Sequence, residues 1–170
     1  MILIGFMGAG KSSVGRALGE TLGWTFEDLD ERIERREGRT VSEIFRESGE
    51  SEFRRAEHAA LKGLLGELGA GAKKIVALGG GAFVQKRNAR LIEAGGISTV
   101  FLDAGVEELW QRCQQQRGTE RPLLGSLEGF RSLYEARRPH YLKASLRQET
   151  SGKMVEEIAA EIVRALGLNK

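Results

Sequence analysis

One cysteine and two histidines among 170 residues leave little room for several kinds of chemistry. A lone Cys113 excludes an internal disulfide, which fits the reducing cytoplasm better than a secreted setting. It lies in a helix-like stretch beside Trp110 and Arg112 and reads as packing, not as a nucleophile. His58 and His140 have no metal-ligand spacing with other His, Cys or carboxylates and read as structural or surface residues. Charge of one sign is also missing. Lys and Arg total 26, Asp and Glu 24, for a net +2, so nothing in the overall charge argues for nucleic acid or a membrane surface as a partner. No apolar run is long enough to span a bilayer. The apolar N-terminus has no basic leader and gives no signal-peptide pattern. Repeats, low-complexity tracts and domain linkers are absent too. A chain of this length, 41% apolar and 29% charged, is expected to form one domain with a real core.

What is present begins at the N-terminus. Residues 5–12, Gly-Phe-Met-Gly-Ala-Gly-Lys-Ser, complete the pattern G-x-x-x-x-G-K-[ST] directly after the apolar run Met1–Ile4. A buried strand would deliver the chain to a glycine-rich turn whose N–H groups converge on phosphate, with a helix N-terminus behind them. Lys11 would reach the β- and γ-phosphates and the Ser12 hydroxyl would sit on Mg²⁺. Val14, Ala17, Leu18 and Leu22 supply the apolar face of the following helix.

Beyond the loop, strand-like runs at 2–5, 24–26, 74–78, 98–102 and 146–149 alternate with helical patterns. The helical patterns cover 11–22, 29–37, 41–48, 50–68, 85–94, 106–116, 127–143 and 153–166. Thr40 with Glu43 reads as a capping box. Such alternation implies right-handed βαβ units and a parallel sheet covered on both faces. Residues 117–126 form a Gly- and Pro-containing loop with two arginines, the composition of a lid.

Five further groups of residues bear on chemistry. Asp28 and Asp30 follow the second strand, where one carboxylate could serve Mg²⁺ and the other orient an attacking hydroxyl; a helix cap followed by solvated acids is the alternative. Phe53, Ala56 and Ala60 mark a core-facing helix side. Arg54 lies next to it and could grip a carboxylate with two parallel hydrogen bonds, held in place by Glu57. Gly79, Gly80 and Gly81 end a strand, which favours close backbone approach to a ligand. Arg121, in the lid, could answer the charge of a transferring phosphoryl group, and Arg137 stands in a further cluster, Arg137-Arg138-Pro139-His140-Tyr141.

Taken together these residues resemble the shikimate kinase family. The resemblance rests on 5–16, on Phe-Glu-Asp-Leu-Asp-x-x-Ile-Glu (26–34) and on Ile-Phe-x-x-x-Gly-Glu-x-x-Phe-Arg-x-x-Glu (44–57). Leu-Gly-Gly-Gly-Ala (78–82), Arg-Pro-Leu-Leu (121–124) and Arg-x-Pro-x-Tyr (137–141) complete it. It implies an α/β P-loop NTPase of the nucleoside-monophosphate-kinase-like, three-layer type, with a five-stranded parallel sheet in the order 2-3-1-4-5. A substrate-binding segment near 29–61 and a lid near 112–126 belong to that picture. The implied reaction is ATP-dependent phosphorylation of the 3-hydroxyl of shikimate by a cytoplasmic monomer. Implied ATP contacts are Gly8, Ala9, Gly10, Lys11, Ser12, Ser13, Arg117 and Arg121, with Arg112 or Arg117 against adenine. Ser12 and Asp28 would hold Mg²⁺. Asp30 would be the base and a shikimate ligand, and Arg54 and Arg137 would take the shikimate carboxylate. Glu57 would orient Arg54, Phe45 and Phe53 would wall the pocket, and the three glycines would add backbone contacts. A gluconate kinase would share the loop and lid without needing Arg54, Glu57 and Arg137. A non-catalytic relative would be expected to lack Lys11, an aspartate or Arg121.

Overall fold

The computed structural model describes residues 1–115 and 125–168. Five strands, β1 (Ile2–Ile4), β2 (Thr25–Asp28), β3 (Lys74–Ala77), β4 (Thr99–Asp103) and β5 (Leu146–Glu149), form one sheet in the order β2-β3-β1-β4-β5. Every pairing is parallel. The central strand β1 and its neighbour β4 are buried along their whole length. That requires cover on both faces, which is why they read as unbroken apolar runs and not as alternating ones.

Among the described residues seven helices provide the cover: α1 (Lys11–Leu22), α2 (Leu29–Glu37), α3 (Val41–Gly69), α4 (Lys86–Ala94), α5 (Val106–Gln115), α6 (Leu127–Tyr141) and α7 (Val155–Ala165). α1 packs on α7, α3 on α2 and α4, and α5 on α6. No helix among the described residues is long and apolar enough to cross a membrane. Val14 and Leu18 of α1 join Leu3, Ile33, Ile44, Leu61, Val76 and Val100 in a single core.

Local sequence accounts for the element ends. Thr40 accepts from the Glu43 amide while Glu43 reaches back to the Thr40 amide, so α3 opens on a complete capping box. The expected break between 41–48 and 50–68 is real but minimal. A single residue, Gly49, leaves helical geometry (φ 79°, ψ 174°) inside α3. Several boundaries differ from expectation by one or two residues, and one of them bears on the site. β2 extends to Asp28 instead of ending at Phe26, because Glu27 and Asp28 stay in register with Val76 and Ala77 of β3. At its lower end this strand pair is tied by ions: Glu27 meets Arg32 and Lys74 at 3.1 Å each, and Glu67 of α3 meets the same two cations.

Parallel strands share one carboxyl end. The connections leaving β1 and β4 run in opposite directions, so a crevice opens there. Residues 5–12 after β1, 28–30 after β2 and 79–81 after β3 all emerge at this crevice.

Candidate active site

The loop after β1 needs glycine where the chain turns. Gly8 and Gly10 have φ of 81° and 85°, and Gly10 is the N-cap of α1. A Cβ on Gly8 would also stand 2.7 Å from the Leu109 carbonyl oxygen and 2.9 Å from Cys113 Sγ. The loop therefore lies flat on α5, and Cys113, buried beneath it, is packing as expected. Lys11 Nζ donates to the Gly5 and Phe6 carbonyls at 2.9 and 3.1 Å, curled over the loop it belongs to. Ala9 is buried, whereas Ser13 is exposed.

Asp28 is a helix cap, as the alternative reading had it, and it also meets the phosphate loop. Its Oδ1 accepts from the Asp30 amide at 2.9 Å and caps α2, while the Ser12 hydroxyl donates to its Oδ2 at 3.2 Å. A hydroxyl and a carboxylate side by side at the phosphate loop are hard oxygen donors of the kind Mg²⁺ takes in small number, the phosphates and waters supplying the rest. No cluster of three or more His, Cys, Asp or Glu suited to a metal occurs among the described residues.

Asp30, the second residue of α2, is held differently. Its Oδ1 is buried without a hydrogen-bond partner. Burial first, then the nearby Asp28 and Glu57 charges, raise its carboxyl from 3.8 to about 6, with Lys11 pulling the other way. A buried acceptor left open in this way is matched to an incoming donor.

Glu57 is almost fully buried, and its two oxygens accept from Arg54 Nη1 at 2.9 and 3.0 Å. Burial pushes the Glu57 carboxyl up from its ordinary value, against the pull of Arg54. The Arg54 guanidinium carbon lies 5.1 Å over the Phe53 ring, and Phe53 stacks on Phe45 at 4.6 Å. Phe53 is buried and Phe45 partly exposed. Across the crevice, Arg137 of α6 sits 5.9 Å over the ring of Phe6 in the phosphate loop.

The three glycines are where these groups meet. A Cβ on Gly79 would come 2.9 Å from Asp30 Oδ1. On Gly80 it would come 3.3 Å from Arg137 Nη1, and on Gly81 2.7 Å from Arg54 Nη2. None of the three has a left-handed backbone. The reason for glycine here is thus space for three neighbouring side chains more than the shape of the turn. Sequence reasoning expected the glycine backbone to approach a ligand here; what the structure shows is three of the chain's own side chains lying against these glycines.

Three contributors escaped that reasoning. The buried Tyr141 donates its hydroxyl to the Gly80 carbonyl. Burial pushes that hydroxyl up to about 12, partly offset by Arg137 beside it. Tyr141 lies one helical turn after Arg137, and that spacing was the available signal. Asn88 Nδ2 donates to the Ala82 carbonyl at 3.0 Å and Asn88 Oδ1 meets His58 Nδ1 at 2.7 Å, propping the far end of the glycine turn. Glu50 contacts Arg54, four residues on. Arg112 is engaged with Glu108 and with the Thr150 carbonyl, at 3.0 Å for the latter. Arg117 and Arg121 lie outside the described residues, as does most of the expected lid.

A phosphate loop at the crevice of a 2-3-1-4-5 sheet, facing a buried acid and a pair of arginines, defines a P-loop kinase with a small anionic acceptor. Comparison with known proteins narrows this. The family described as shikimate kinase matches residues 7–167, and the chain belongs to it. A shikimate kinase of Persephonella marina is 38% identical over 162 residues, 95% of this chain and 94% of that protein. One of Thermus thermophilus is 42% identical over 96% of this chain and 88% of its own length. A solved shikimate kinase of Acinetobacter baumannii, in complex with shikimate, superposes with a TM-score of 0.84 at 35% identity, covering 99% and 93% of the two chains.

Proposed function

We infer that the protein transfers the γ-phosphoryl group of ATP to the 3-hydroxyl of shikimate, giving shikimate 3-phosphate and ADP on the route to chorismate and the aromatic amino acids. The observation that carries this reading is the meeting of Asp30, Arg137 and Arg54 on three consecutive glycines. A small polyhydroxylated acid needs a hydroxyl acceptor on one side and guanidinium forks on the other. Gluconate would not require an arginine clamped by a buried glutamate opposite Arg137, so the shikimate reading is preferred.

In this reading the acceptor segment is about 29–61. Arg54, fixed by Glu57, and Arg137 take the carboxylate of shikimate, with Phe45 and Phe53 beside them. The 3-hydroxyl donates to the open Asp30 oxygen. A carboxyl near 6 is ionised at neutral pH yet basic enough to receive the proton as the oxygen attacks phosphorus. The new P–O bond forms as the bond to the β-phosphate oxygen breaks. Lys11 and the N–H groups of residues 8–13 offset the charge on the phosphates. Arg121 and Arg117 are assigned to the lid side of the nucleotide by family resemblance. Ser12, and Asp28 through water, would hold Mg²⁺, which supplies charge neutralisation between the phosphates. Most of the catalytic effect is positioning and electrostatics, as phosphoryl transfer requires. The protein is read as a cytoplasmic monomer without nucleic-acid or membrane partners.

The direct test is ADP release from ATP and Mg²⁺ with shikimate, gluconate or no acceptor, side by side. Shikimate-dependent turnover that vanishes without Mg²⁺ supports the reading. ATP binding without stimulation by shikimate would leave the nucleotide site standing and overturn the acceptor.

A further inference from the structure

Arg54 is more fully occupied than a waiting carboxylate site ought to be. Nη1 is committed to Glu57. The Nη1–Nη2 end abuts Gly81. What remains is the Nε–Nη2 edge, one of the two edges with which a guanidinium grips a carboxylate in two parallel bonds. That edge already holds a carboxylate oxygen. Glu50 Oε1 accepts from Nε and from Nη2, both at 3.3 Å.

We propose that Glu50 is an internal stand-in for the acceptor's carboxylate: it occupies the open edge of Arg54 in the empty site and must leave for shikimate to bind. This rests on the acceptor reading above and adds a competing residue to it.

The two glutamates on Arg54 differ in the way the proposal needs. Glu57 is about 1% exposed and makes bonds of 2.9–3.0 Å, so it stays. The Glu50 side chain is 67% exposed and its contacts are long, so it can exchange with solvent at small cost. Glu50 also directly follows Gly49, where the backbone leaves helical geometry. It therefore sits at the first position after the kink in α3. Exchange of one carboxylate for another keeps the guanidinium paired at every stage, and spares Arg54 the cost of a desolvated, unpartnered charge. An acceptor lacking a carboxylate gains no such replacement, because it would have to evict Glu50 and leave the edge empty. Eviction costs the same for either acceptor, so Glu50 lowers the affinity of both alike, and only a carboxylate gives the edge a new partner.

The test is equilibrium binding of shikimate by titration calorimetry to the full chain and to Glu50→Gln and Glu50→Ala, with thermal melts to verify folding. Removing the competitor should tighten shikimate binding about two- to five-fold, the equivalent of one exposed ion pair. Affinity for a non-hydrolysable ATP analogue should not move. The primary alcohol made by reducing the shikimate carboxylate should gain affinity as well, because it too no longer has to evict a charge. Unchanged or weaker shikimate binding in the folded variants would overturn the proposal and leave the acceptor assignment intact. No binding of shikimate to the unmodified protein would overturn both.

Discussion

Adding a single methyl group at Gly81 isolates acceptor binding from the rest of the protein. The backbone there is not left-handed, so alanine is conformationally acceptable. The new Cβ would stand 2.7 Å from Arg54 Nη2, 3.0 Å from Nη1 and 3.2 Å from Cζ. Ordinary carbon contacts begin near ~3.5 Å, so the guanidinium must retreat by roughly 1 Å, given that separation. It is the far end of a flexible side chain, so the fold can yield. Its bonds to Glu57 and its grip on the acceptor cannot both survive the move. A hydrogen bond to a charged group contributes about 1.5–3 kcal/mol, which corresponds to a rise of roughly 10- to 150-fold in the KM for shikimate. The KM for ATP should stay within about two-fold, since ATP's sites lie on the phosphate loop, and Tm should fall by only a few degrees. A coupled ADP-release assay with each substrate varied in turn reads this split. Unchanged KM for shikimate, or an equal rise in both KM values, would refute the claim that Gly81 makes room for an acceptor-binding arginine.

Other expectations follow from the same geometry. Asp30 holds its proton more tightly folded than unfolded between pH 3.8 and about 6, so its burial erodes stability as pH rises through that window and the full cost is present above it. Asp30→Asn should therefore be more stable than the parent at pH 7, by at most about 3 kcal/mol, with the gain gone near pH 4 in denaturant melts. The same variant should lose turnover, and the parent's kcat/KM for shikimate should fall on the acid side with an apparent pKa near 6; a profile flat from pH 5 to 8 would remove Asp30 as the base. Lys11→Ala should cut turnover by about 10²–10³, the scale for losing one charge-stabilising donor, and near-normal rates would discount its role. Tyr141→Phe removes the donor to Gly80 and the hydroxyl beside Arg137. It should raise the KM for shikimate several-fold with Tm lowered by a few degrees, and an effect on Tm alone would make Tyr141 purely structural.

The phosphate loop and nearly every helix could be read from the chain because the signals are local, whereas the strand order followed only from the family resemblance. Gly5, Gly10, Lys11 and Ser12 have fixed spacing. Thr40 and Glu43 form a capping box within four residues. β1 and β4 are apolar throughout because both faces are covered. What escaped was set by contacts distant in sequence. β2 runs to Asp28 because β3 pairs with it there, a constraint invisible in residues 24–28 alone. That Gly79, Gly80 and Gly81 each clear a different side chain depends on α2, α3 and α6 arriving together. Asn88 gave no signal at all, since a buried asparagine beneath a turn has no motif. Glu50 and Tyr141 were accessible in principle, each one turn from the arginine it touches.

Asp28 has a bearing on how this chain can diverge. One of its oxygens caps the helix that carries Asp30, and the other meets the hydroxyl of Ser12. A replacement must pass two filters at once. Asparagine would satisfy the cap but forfeit the charge, and glutamate would keep the charge while its longer arm misplaces the cap. Drift at this position is penalised from the nucleotide side and the acceptor side together, so the two halves of the reaction are inherited as a unit through a single carboxylate.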